Sequence, residues 1–123
     1  MRTASIEEKR RSGVWVWQAI TGVLLVILLS LHMIVHHFVV EGGLRTYQQV
    51  LDYVGNPLVV AVEILFLVTV TYHAMLGVRA ILFDLNLSES QKALVTRVLT
   101  VLGVVVVAWG VFLALALFRA ANA

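Results

Sequence analysis

The chain has no cysteine, one proline and few charges, and each shortage removes a class of protein. Without cysteine there are no disulfides, thiolate metal sites or cysteine-held iron–sulfur clusters within the chain. A single proline and the lack of low-complexity tracts argue against a flexible linker or a second domain. Charged residues make up 13% of the sequence, where globular domains run nearer ~25%. What fills the space is apolar: 61% hydrophobic residues and a mean hydropathy of +0.97. That balance belongs to membrane proteins. At 123 residues the chain has room for three or four spans and little else.

The placement of the charges says more than their net value of +2. Arg2, Lys9, Arg10 and Arg11 precede the first apolar run, and Arg79, Lys92 and Arg97 bracket the connection between the second and third. Only Arg45 lies in the first connection, and Arg119 follows the third run. Basic residues favour the cytoplasmic side, so the N-terminus and second connection are expected there, with the C-terminus outside. A cleaved signal is not expected, because the run from Val14 to Val40 exceeds the ~7–15 residues of such a segment. The lipid bilayer is the expected partner, and no nucleic acid is.

The chain reads as an all-α membrane protein of three transmembrane helices plus a short amphipathic interfacial helix. Ser5 and Glu8 have capping-box spacing, so a short cytoplasmic helix is expected to lead into the membrane. The spans are expected at about 14–40, 57–85 and 94–118, the first longer than the ~20 residues a bilayer needs. Gly42-Gly43 breaks the first helix. Leu44, Tyr47, Val50, Leu51 and Val54 then repeat at helical spacing, which predicts a helix lying on the outer surface. Asn56-Pro57 opens the second span, with Pro57 suited to the first turn. Ser88 is placed to cap the third. A sheet is excluded by runs that are apolar on all sides.

Ionisable groups inside spans are costly and normally face a bundle interior. The first span carries Gln18, Ser30, His32, His36 and His37; the second carries Glu63, Thr69, Thr71, His73, Arg79 and Asp84. At ~100° per residue, His73, Gly77, Ala80 and Asp84 fall within about 60° of one another, with Phe66 beside them. An imidazole one turn from a glycine suits a flat ligand that must approach the backbone. On the first helix Gln18, Thr21, Leu25, His32 and His36 share a face. His32 lies roughly 26 Å from Trp15, and His73 roughly 16 Å from Asp84 at the same side, at ~1.5 Å per residue. The two imidazoles are therefore not expected to clamp one iron.

Three readings of His73 stand at this point: axial ligand of a haem b, hydrogen-bonding helix contact, or proton relay. His32 reads as an interior polar contact, an interfacial histidine or the ligand of a second haem. His36 and His37 read as solvated near the outer surface. Glu63 is open to protonation, a bond across to another helix, or proton carriage. Asp84 reads as a helix-end residue. Gly103 and Gly110 read as close helix packing.

The stretch from Thr71 to Arg79, Thr-Tyr-His-Ala-Met-Leu-Gly-Val-Arg, with Asp84 five residues on, resembles the second-helix signature of the membrane-anchor cytochrome b subunits of succinate dehydrogenase. Trp17-Gln18-Ala19-Ile20-Thr21-Gly22 resembles the first-helix start of the same family. The resemblance implies half of a heterodimeric helix bundle that binds haem b and docks an iron–sulfur subunit, itself carried with a flavoprotein subunit. It implies cofactor contacts at His73, Gly77 and Arg79, with His73 as one axial ligand and a second membrane-anchor subunit supplying the other. Quinone, the substrate, would bind near Asp84. One haem is implied, or two with His32 in the two-haem variety. The chain departs from the family at Ala19 and Trp15, where a quinone-site arginine and serine stand, and at Leu85, where a tyrosine often follows the aspartate. The partner anchor is therefore expected to supply most quinone contacts. Such a chain is not catalytic alone; it would serve an oxidoreductase passing electrons from succinate to quinone. A fumarate reductase anchor, another b-type cytochrome subunit, or a proton-coupled transporter or assembly subunit using Glu63 and His73 are the other readings.

Overall fold

The computed structural model describes residues 2–43 and 46–123, with side chains from Ser5 onward. Leu44 and Arg45, used above in the amphipathic pattern and the charge count, lie outside the described residues, as does the Arg2 side chain. Helix α1 (Arg2–Ile34) runs into a π-helical turn (Val35–Val39). Then come α2 (Tyr47–Val54), α3 (Pro57–Phe83) and α4 (Glu89–Ala121). No strand occurs among the described residues.

The expected short leading helix is not separate. It is continuous with the first span, so Ser5 sits inside α1 rather than capping it. The reason is local: Ile6 to Arg11 are mostly good helix formers, and the single Gly13 before the span costs only about 1 kcal/mol within a helix. The break comes at Gly42 and Gly43, whose φ values of 75° and 76° lie in the left-handed region that glycine alone adopts freely. Thr46 then caps α2 through a capping box with Gln49. Asn56 accepts from the Leu58 N–H at 2.9 Å, with Pro57 opening α3. Ser88 and Gln91 form the corresponding box for α4.

Three helical segments are long and apolar enough to cross a membrane: Ser5–Val39, Pro57–Phe83 and Glu89–Ala121. At ~1.5 Å per residue even α3 exceeds a ~30 Å hydrocarbon core, so each tilts or protrudes. They form an open layer, not a closed triangle. α3 lies in the middle, packed by α1 on one side and α4 on the other. Among the described residues α1 and α4 do not approach each other, while α2 packs on α3 and α4.

Little of this layer is buried. Leu28, Val60 and Leu99 are the buried hydrophobics, matched by three buried threonines, Thr21, Thr69 and Thr71. Lipid is as apolar as leucine, so close packing and hydrogen bonds hold such helices together instead. Gly103 of α4 receives Met75 and Thr71 of α3, and Gly110 receives Leu67. A Cβ built at Gly110 meets the Leu67 side chain closer than any real contact allows. Gly110→Val is therefore expected to cost about 1–3 kcal/mol by overpacking. The check is the thermal midpoint of the detergent-solubilised protein, with Gly13→Val, where nothing lies within 4 Å, as comparison.

Candidate functional site

α3 carries two polar clusters, one toward each end, and an open cavity beyond the first.

The first cluster joins α3 to α1 through His73. Its Nδ1 lies 2.9 Å from Thr21 Oγ1. The threonine hydroxyl has one proton and two backbone carbonyls in reach, Trp17 O at 2.8 Å and Gln18 O at 3.1 Å. Donating there, it is left as an acceptor, so the imidazole donates from Nδ1–H and its lone pair resides on Nε2. No hydrogen bond to Nε2 occurs among the described residues. The imidazole lies against Gly22: a Cβ there would stand in van der Waals contact, 3.4 Å from His73 Cε1, with no room for a longer side chain in that direction. Gly77, one turn along α3, faces Gln18 instead, with 3.4 Å from a built Cβ to Gln18 Nε2. Gln18 Oε1 is buried and, among the described residues, has no partner. An unmet buried acceptor costs roughly 1–3 kcal/mol, and Gln18 also borders the cavity beyond it.

Beyond Gln18 a cavity of about 990 Å³ opens between the start of α1, the end of α3 and the start of α4. Arg10, Trp15, Arg79, Asp84 and Lys92 line it with Gln18. Arg79 donates from Nε to Thr96 Oγ1 at 3.3 Å, and its guanidinium sits 4.5 Å above the Phe83 ring. Asp84 is exposed and forms the C-cap of α3, as a helix-end residue should. Sequence reasoning thus placed Arg79 and Asp84 at one end of α3, and the cavity joins them.

The second cluster centres on Glu63. His32 Nδ1 lies 3.0 Å from both carboxylate oxygens, and His36 Nε2 lies 3.4 Å from Oε1. The Tyr53 hydroxyl donates to Oε1 at 2.7 Å. Of the roles open to Glu63, the bond across to another helix is present in the structure. His36 is not solvated as expected: its side chain is 24% exposed. It stacks on His32 with ring centroids 3.9 Å apart and meets Tyr53 edge-on. His32, at the end of α1, and His36, in the π-helical turn, are four apart and so share a face, and both rings reach the same carboxylate. His37 is exposed. His32 is eleven residues beyond Thr21, roughly 16 Å along α1, so it is not brought to His73.

Tyr53 was not anticipated as part of any site. Burial, its hydrogen bond to Glu63 and the adjacent carboxylate hold its phenol well above the ordinary tyrosine value. The native state then keeps a proton the unfolded chain releases, so stability falls as pH climbs above the ordinary value of about 10. Tyr53→Phe is expected to flatten that alkaline decline while costing about 1 kcal/mol at neutral pH. Thermal midpoints measured across alkaline pH would show a parallel decline in both proteins if the phenol has no such role.

A family model described as succinate dehydrogenase/fumarate reductase transmembrane subunit matches residues 4–112. A succinate dehydrogenase hydrophobic membrane anchor subunit of Archaeoglobus fulgidus is 34% identical over 99 residues, covering 80% of this chain and 84% of the relative. Its counterpart in Thermoplasma acidophilum is 30% identical over 102 residues, covering 83% of each. No solved structure matches the chain. The match spans α1, α2, α3 and most of α4, and so takes in both polar clusters. This three-span chain accordingly belongs to the family of succinate dehydrogenase/fumarate reductase transmembrane subunits, as a membrane anchor.

Proposed function

We propose that this anchor carries haem b in a succinate:quinone oxidoreductase of a prokaryotic cytoplasmic membrane, with its N-terminus cytoplasmic. The observation that carries the haem reading is the bond from His73 Nδ1 to Thr21. A metal-ligating histidine normally gives its other N–H to a neighbouring acceptor, which fixes the tautomer and raises ligand basicity. His73 has that arrangement, with Nε2 left for iron, so the donor set fits the group.

When bound, the haem supplies one-electron carriage. The chain's own residues do the rest. Thr21 orients the imidazole, Gly22 lets it lie close to α1, and Arg79, about 9 Å along α3 from His73, provides positive charge for the acidic groups of the cofactor. The open layer of α1, α3 and α4 supports half of a two-anchor bundle, in which a second anchor completes the iron ligation. Soluble iron–sulfur and flavoprotein subunits dock at the basic end, where the positive-inside bias puts the cytoplasm. The cavity beside Gln18, Arg79 and Asp84 faces that end and is the quinone vicinity. Succinate oxidation is the direction named for both relatives.

A reduced-minus-oxidised spectrum of the purified complex tests this. A b-type band is expected; its absence in a complex that retains the soluble subunits sinks the haem reading.

A further inference from the structure

His32, His36 and Glu63 form a group that the haem reading does not use, at the end of α3 remote from the cavity. Their candidate ligand atoms all lie within 4.8 Å of one another. We infer that His32, His36 and Glu63, held together by the π-helical turn and by Tyr53, are a binding site for a divalent transition metal ion of the zinc type.

Two imidazole nitrogens and one carboxylate oxygen form a donor set that zinc favours, and histidines four apart on a helix are a recurrent zinc pair. Tetrahedral zinc with bonds of ~2.0–2.1 Å sets its ligand atoms roughly 3.4 Å apart. The distances to Glu63 Oε1 here are 3.0 Å from His32 Nδ1 and 3.4 Å from His36 Nε2. Both imidazoles thus stand near the ligand separation of a shared ion from Glu63, and the three candidate atoms lie within 4.8 Å of one another, a span that side-chain rotation can close.

The surroundings support the same assignment. Tyr53 donates to Glu63 Oε1 and so orients the carboxylate, the second-shell role that tunes metal sites. The Phe66 ring lies 5.1 Å from that of His32 and covers one side. His32 and Glu63 are 27% and 24% exposed, so an ion can enter and a fourth position remains for water. The π-helical turn is a further sign, since such turns are frequent at functional sites. Bound there, the ion would tie α1 and α3 directly and α2 through Tyr53, at the end of the molecule where the chain leaves α1.

The experiment uses the whole purified complex, stripped with a chelator and equilibrated with Zn2+ alone. Bound zinc is then counted by mass spectrometry after gel filtration. One zinc ion per copy of this chain is expected beyond the count for a His32→Gln/His36→Gln variant. An equal count in wild type and variant overturns the proposal, as does the loss of a second b-type haem from His32→Gln. X-ray absorption at the zinc edge, on wild type alone, covers the case in which the variant does not assemble. Multiple scattering from two imidazoles is expected, and its absence overturns the assignment. The haem at His73 has its own spectral readout, so failure of either reading leaves the other standing.

Discussion

His73→Ala is expected to abolish the low-spin b-type α band of the assembled complex, while His32→Ala leaves that band in place. The difference follows from where the structure puts the two imidazoles. His73 is seated on Thr21 beside the cavity end of α3, whereas His32 lies roughly 16 Å farther along α1 than Thr21, stacked on His36 and bonded to Glu63. Deleting a ligand should exceed the ~10–100-fold effects seen when outer-shell partners are removed. The measurement is a reduced-minus-oxidised spectrum at equal complex concentration, with the subunits checked on a gel. An unaltered band in His73→Ala would end the axial-ligand assignment.

The second large effect is expected from α1, at residues that touch no cofactor. Thr21→Val removes the acceptor for Nδ1–H and frees the imidazole to change tautomer. Haem affinity is expected to fall by about 10–100-fold, with Thr21→Ser restoring most of it. Gly22→Leu should act through space rather than through the hydrogen bond, because a Cβ there would already touch His73 Cε1 at 3.4 Å, leaving the rest of the leucine no space on that side. The larger side chain pushes the ring off its seat. A haem titration of the depleted complex separates the two, since Thr21→Ser rescues only a hydrogen-bonding role. If Thr21→Val and wild type titrate alike, Thr21 is a packing residue and the tautomer argument fails.

Much of the chain's organisation was legible because its signals are local. Asn56-Pro57 and Ser88 mark helix starts through the chemistry of two or three neighbouring residues, and α3 and α4 begin there. Gly42-Gly43 marks the turn that follows the first helical run, which ends at Val39. Gly103 and Gly110 could be read as packing positions because small residues on an apolar helix have few other uses. The partners of the polar residues were not legible. Thr21 and His73 are 52 positions apart, and helical phase places each on a face without saying which faces meet. Phase put His36 on the face of His32, where it is, but its depth near the outer surface did not reveal that Glu63 and Tyr53 would pack against it. Tyr53 was counted only as part of an interfacial helix. Its reach to Glu63 depends on how α2 folds back over α3.

The central position of α3 bears on how the protein enters the membrane. α3 brings Glu63 and His73, groups that a lipid environment would reject, yet the partners of both precede it in the chain. Thr21, His32 and His36 are on α1 and its π-helical turn, and Tyr53 is on α2, so all have been translated before α3 leaves the ribosome. Glu63 and His73 therefore meet waiting acceptors and donors as they are released sideways from the insertion channel. α4 arrives last, offering Thr96 to Arg79 and a smooth glycine-notched surface to the rest. The order of synthesis is the order in which the membrane can accept these helices.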